Sequence, residues 1–420
     1  MSRQEADTGR TRTAGRIRRL GIAYALISLI AGFTVGLFRL FKDNGTFYLN
    51  ALSPWYHLHS VFLIFGFLGG LLMTERIAGS AGIRGVGAGT FNASMLLLSI
   101  AGVLMLPVGW VYRSALLRML GALFLAVGAL QFTLLLIRLG GVARDYSSFG
   151  IMASGTVSLA LSAVSSAFRL PDNNFPMILQ MLLFPVLFIL GERIELTRFS
   201  SFAHRKALTT SVHSLAWFAV SITALSSAMY MKGLDSYVFA LSLAVMLLLI
   251  ITALTFAMER KRKMQGAATR LQTYLDTGIN IAYCWIFFGI LLFLMRINGI
   301  TGLYDASIHA IALGFIATFI VAHGPVIFPV VLGRKADISR LSFLPLYMVT
   351  LSNIMRVFGD IAGILSLNSG TALLISSSVV SLSGIMLAIA AVAFAVMMRM
   401  MMSATRAGDA KGRASRKTEG

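Results

Sequence analysis

Apolar runs of about twenty residues, separated by short clusters of arginine and lysine, recur from one end of this chain to the other. Coiled into a helix, such a run crosses the ~30 Å hydrocarbon core of a bilayer. In lipid only helices and closed barrels satisfy their own backbone polar groups, so runs of this length commit the chain to helical spans. Of 420 residues, 57% are hydrophobic and 12% charged, too little polar surface to clothe a soluble globule. The expected fold class is all-α, a polytopic transmembrane bundle of about twelve helices with both termini cytoplasmic.

The predicted spans start near Leu20, Trp55, Gly89, Leu116, Ser147, Phe175, Ala207, Ser236, Gly278, Leu303, Leu341 and Ala372. Orientation follows from the loops. Odd-numbered connections carry little net basic charge, whereas even-numbered ones hold Arg76 and Arg84, Arg138 and Arg144, Arg193, Arg198, Arg205 and Lys206, Arg260 to Lys263, and Arg334, Lys335 and Arg340. With the basic tail, these clusters fall on one side and are assigned to the cytoplasm. A net charge of +20 is thus spent on orientation and argues against nucleic acid as a partner. The bilayer is the expected surrounding, and the cytoplasmic (inner) membrane of a bacterium or archaeon the expected location. The first run continues from Leu20 to Phe41, too long for a signal-peptide core, and reads as a retained span. Residues 1–19 and 403–420 read as disordered basic arms around one membrane domain, 20–402.

Cysteine chemistry is excluded as a cofactor frame, because Cys284 is the only cysteine. The methionines from Met397 to Met402 read as flexible packing at a helix end rather than a copper site. A metal centre in this chain has to be held by histidine. Of six histidines, His57, His59, His213, His309 and His323 fall in or at the ends of predicted helices. His59 and His309 begin the second and tenth spans, about 6 to 9 Å below their outer ends at 1.5 Å per residue. Two imidazoles at equal depth on two helices are a ligand set for haem iron if the helices face each other. His57 lies about 200° around the helix from His59, so one of the two serves a given centre, and His59 is deeper. His323 lies about 21 Å beyond His309 along the same helix, nearer the depth of His213, where a second site or a proton path is a weaker reading.

Charges inside spans are costly and therefore informative. Arg296 closes the ninth span, and Arg356 and Asp360 share one face of the eleventh at i, i+4. Arginine forks suit carboxylates such as haem propionates, and Asp360 could instead form a self-contained ion pair with Arg356. Asp305, four residues before His309, is placed to accept the imidazole proton or to cap the helix. Glu75 and Glu192 lie near cytoplasmic ends as interfacial carboxylates or proton-entry groups. Pro325 and Pro329, after His323 and Gly324, are expected to break or bend the end of the tenth helix.

The segments His57-Leu58-His59 running into Phe65-Gly66-Phe67, and Ser307-Ile308-His309-Ala310 running to Ala322-His323-Gly324-Pro325, resemble the NnrS-type haem proteins of the nitric-oxide response. The twelve-helix plan is also similar to subunit I of the haem–copper oxidases, in which histidines on the second and tenth helices hold haem. The resemblance implies haem b with His59 and His309 as axial ligands, and nitric oxide or an electron donor as partner. It stops short of an oxidase. The sixth predicted helix has no histidine and the seventh only His213, so copper lacks a full ligand set and dioxygen reduction is not expected. The alternative is a secondary transporter or metal permease in which His59, His309, Asp305 and Asp360 form a protonatable route.

Overall fold

The computed structural model describes residues 3–43, 50–80, 89–170, 174–196, 205–260, 269–331, 338–365 and 370–418. Every regular element among them is helical, and twelve helices are long and apolar enough to cross a membrane. They are α1 (Arg3–Asp43), α2 (Val61–Ser80), α3 (Thr90–Val111), α4 (Ala115–Ala143), α5 (Tyr146–Ser166), α6 (Phe175–Leu196), α7 (Arg205–Met231), α8 (Tyr237–Arg260), α9 (Arg270–Ile297), α10 (Tyr304–Val326), α11 (Phe343–Leu365) and α12 (Gly370–Thr418). The protein is a multi-pass membrane protein. The backbone is helical back to Arg3 in α1 and out to Thr418 in α12, so helix runs through both basic segments that the sequence sets apart. The chain divides into two compact units, Met1–Lys263 and Met264–Gly420, where hydropathy alone suggests one membrane domain. Nothing in the sequence marks this boundary, because the cluster Arg260 to Lys263 resembles every other basic loop.

Within the first unit, α6 is the enclosed element, with 94% of its most apolar stretch buried. It is apolar all round, as a helix without a lipid face should be, and packs against α5, α7, α8 and the first half of α2. Its neighbour α5 is built from serine, alanine and glycine, which lets backbones approach. Two α5 hydroxyls donate within the helix, Ser154 to Ile151 O at 2.7 Å and Ser166 to Ser162 O at 2.7 Å, and Ser158 donates across to Gln180 O of α6 at 2.7 Å. Short turns join antiparallel neighbours. Arg113 takes φ 55° between α3 and α4, and the Ser114 hydroxyl then accepts from Leu117 N to cap α4. The α3–α4 contact is backbone-close, since a methyl added at Gly121 would lie 2.5 Å from Leu106 N.

In the second unit, Gly299 supplies the φ of +106° that turns α9 toward α10. Two apolar clusters form its core. One contains Trp285, Leu292, Leu303, Ala306, Ala310 and Val357; the other contains Tyr274, Val321, Ala322, Leu346 and Val349. Along α11 the buried polar residues Ser352 and Asn353 stand between Val349 of one cluster and Val357 of the other. The expected break in the tenth helix does not occur: helix continues from Thr318 through Pro325 and Pro329 to Val331. Inside a bundle a proline forfeits one amide bond, and neighbouring helices can carry that loss without unwinding the chain.

Candidate functional site

His59 sits between two kinds of helix. A 3-10 stretch, Asn50–Leu58, brings the chain in, and a π-helical stretch of eight residues, Val61–Leu68, leads on into α-helix from Gly69. His57 is exposed and His59 half-buried, in accord with their different faces. The His59 side chain packs over Gly36 of α1, whose added Cβ would meet the His59 Cβ at 3.7 Å and the ring Cδ2 at 3.8 Å. Its Nδ1 faces an acceptor, Tyr56 O at 3.3 Å, and a donor, Arg39 Nη1 at 3.5 Å. Bonding to the carbonyl requires a proton on Nδ1, whereas bonding to Arg39 requires a lone pair there. The contact to the carbonyl is the shorter and therefore the stronger of the two.

The second unit repeats the arrangement with firmer geometry. His309 ends the α-helical first turns of α10, and an eight-residue π-helical stretch, Ala310–Ala317, begins at the next residue. Its Nδ1 lies 2.9 Å from the backbone oxygen of Asp305. A carbonyl only accepts, so Nδ1 carries a proton, and in the neutral ring Nε2 carries the lone pair. The Asp305 carboxylate is also close, with Oδ2 3.4 Å from Nδ1. Thus the nearer acceptor of the imidazole proton is the main chain of Asp305, with the carboxylate behind it. No side-chain cap is formed at this helix start; Asp305 lies in the first turn, where a negative charge suits the helix dipole.

Arg356 of α11 links the acids around this histidine. It forms an ion pair with Asp305, and its Nε lies 3.5 Å from Asp360 Oδ2. The Arg356 and Asp360 side chains are 13% and 15% exposed and that of Asp305 39%, so the network is buried on the α11 side and open on the α10 side. Asp305, His309 and Asp360 each offer a ligand atom within 4.8 Å of the others. A cation bound there has to displace the Arg356 guanidinium, which neutralises both carboxylates in turn.

Below His309, hydrogen bonds in the π-helical stretch skip to i+5, so residues five apart come round toward one face. An α-helix would set Gly314 about 140° away from His309. Gly314 packs on Trp285 and Asn353: an added Cβ would lie 2.5 Å from the tryptophan and 2.6 Å from Asn353 Nδ2. Asn353 is fully buried, and neither atom of its carboxamide has a hydrogen-bond partner among the described residues.

The remaining expected residues make local contacts of their own. Arg296 closes α9 and is half-buried. His323 donates from Nδ1 to Phe319 O at 3.0 Å and stacks on the Phe319 ring, with centroids 4.4 Å apart. His213 accepts from the Trp217 indole at 2.8 Å through Nε2, which commits that lone pair to a packing bond. Toward the far end of α2, Arg76 pairs with Glu192 at 2.5 Å and Glu195 at 3.0 Å, and Arg193 pairs with Glu259. These ion pairs tie α2 to α6 and α6 to α8, with Glu75 among their neighbours. Arg39 was not anticipated. Its signal was present, because a lone arginine near the end of an antiparallel first span lies level with the start of the second.

Residues 18–394 match the model of DUF8744, a domain of unknown function. The chain belongs to this family. The match begins inside α1 and ends inside α12, so the DUF8744 domain takes in His59, His309 and the whole Asp305–Arg356–Asp360 network. A comparison with curated proteins gives no match.

Proposed function

We propose that this protein binds haem b in the membrane, with His59 and His309, each within its own unit, as candidate iron ligands, in nitric-oxide response or respiratory electron transfer. The reading is carried by the His309 bond to Asp305 O at 2.9 Å. That bond favours a proton on Nδ1 and, in the neutral ring, a lone pair on Nε2 of set orientation, an arrangement common among metal-binding histidines. His59 has the same kind of contact to Tyr56 O, and each histidine is followed closely by a π-helical stretch. Such stretches gather at functional sites. Arg39 beside His59 and Arg356 beside Asp305 supply guanidinium groups suited to propionate carboxylates, and Arg296 remains a third candidate. Bound haem supplies one-electron exchange or gas binding. The protein holds the ring nitrogens in place, compensates the carboxylates and keeps the site in a low-dielectric surrounding.

The basic connections support a reading in which both termini are cytoplasmic and the two histidines belong to the outer half of the inner membrane. The rival reading is a cation or proton-coupled transporter, supported by the close grouping of Asp305, His309 and Asp360. Colour separates the two. The detergent-purified protein should show a b-type reduced-minus-oxidised spectrum, and His309→Ala and His59→Ala should each lose it while remaining monodisperse. Equal haem content in wild type and both variants would remove the ligand assignment; a colourless wild type produced with ample haem would favour transport.

A further inference from the structure

We infer that the α3–α4 corner of the first unit binds the headgroup of an anionic phospholipid, with Arg118 as the residue that takes the phosphate. The corner is assembled around Trp110, at the end of α3. Its indole donates to Ser166 O at 2.9 Å, which ties the end of α3 to the end of α5 and sets the plane of the ring. The Arg118 guanidinium stands over that ring, 4.4 Å from its centroid. Its stem lies along the backbone of α3, since a methyl added at Gly109 would come within 2.8 Å of Arg118 Cγ. An arginine held on two sides has less side-chain freedom left to lose when a ligand arrives.

Negative charge is what the corner lacks. Arg118 Nε is buried with no hydrogen-bond partner among the described residues, and the first turn of α4 holds no acid. A cation in that turn faces the positive end of the helix dipole, a place that suits an anion. Chain orientation does not call for it either, because this is an odd connection, on the side where little net basic charge gathers. Arg113 is exposed on the same turn, and Arg169, three residues past Ser166, stands over Tyr230 at 5.8 Å. Lys232 and Asp235 on the α7–α8 turn cancel in charge, and Asp172 lies outside the described residues.

Position selects the source of the phosphate. Trp110 and Arg118 lie at the ends of two spans, at the level of headgroups. An exposed apolar stripe of α4, Leu116, Met119, Leu123 and Leu130, starts beside Arg118 and runs into the span, where acyl chains can lie along it. With Nε covered, the guanidinium presents its two Nη groups, the paired donors that suit phosphate oxygens.

Native mass spectrometry of the delipidated full chain in detergent tests this, with phosphatidylglycerol, phosphatidylcholine and inorganic phosphate as probes. Phosphatidylglycerol should bind the wild type, and about tenfold more weakly Arg118→Gln, which loses a charge-assisted contact. Arg118→Lys keeps the charge without the fork and should fall between the two; it carries the comparison if Arg118→Gln does not fold. Arg144→Gln, an exposed arginine at the other end of α4, should match wild type. Equal phosphatidylglycerol affinity in wild type and the folded Arg118 variants would overturn the inference, as would phosphatidylcholine binding as tightly. Displacement of the lipid by inorganic phosphate at equal concentration would also overturn it, marking a site for a free anion. None of these outcomes depends on haem.

Discussion

At the scale of single residues, the informative positions are polar groups whose membrane cost has to be offset. Asp305, His309, Arg356 and Asp360 were legible in the sequence because each interrupts an apolar run. Their order of contact was not. The sequence pairs Arg356 with Asp360 at i, i+4, and the structure adds the bond to Asp305, which belongs to another helix. Arg39 needed the antiparallel packing of α1 on α2 to be seen beside His59. Gly314 is a sharper case, since glycine is common in membrane helices and only the structure shows Trp285 and Asn353 against its Cα. Gly314→Ala should destabilise the protein by about 1 to 3 kcal/mol through overpacking, whereas Gly79→Ala, with nothing within 4 Å of the added carbon, should be near neutral. Reversible unfolding in mixed micelles would measure both.

At the scale of elements, the number and placement of spans follow from hydropathy, and their internal geometry does not. Both π-helical stretches, Val61–Leu68 and Ala310–Ala317, lie in runs that look α-helical in sequence. The wider turn is accompanied by a side-chain bond within the helix: Thr318, buried at the end of the second stretch, donates its hydroxyl to Leu313 O at 3.2 Å, five residues back. Deleting Ala312 should restore α-helical register and rotate His309 by about 100° relative to the rest of α10. The expected result is loss of the His309-dependent haem signal with helix content retained, read by absorption and circular dichroism. Full haem occupancy in the deletion variant would show that the π-helical stretch is dispensable. The uninterrupted helix through Pro325 teaches the complementary lesson, that a local breaker signal yields to a helix already held by its neighbours.

At the scale of the whole molecule, orientation is the property the sequence addresses most directly. In a Cys284→Ser background, Arg144→Cys and Asp235→Cys replace exposed residues on an even and an odd connection. A membrane-impermeant maleimide should label Asp235→Cys in intact cells and Arg144→Cys only after permeabilisation. The opposite pattern would invert the topology, and with it the depth assigned to His59 and His309. By itself the sequence determined the helical class, the twelve spans and the small set of buried polar residues worth examining. It could do so because a bilayer demands about twenty apolar residues per crossing and penalises every exception. Tertiary structure decided the division into two units, the π-helical stretches after both histidines, and the meeting of Asp305, Arg356 and Asp360 around His309. Those features depend on which faces of separate helices pack together, and apolar side chains in lipid give a linear sequence little means of marking one face from another.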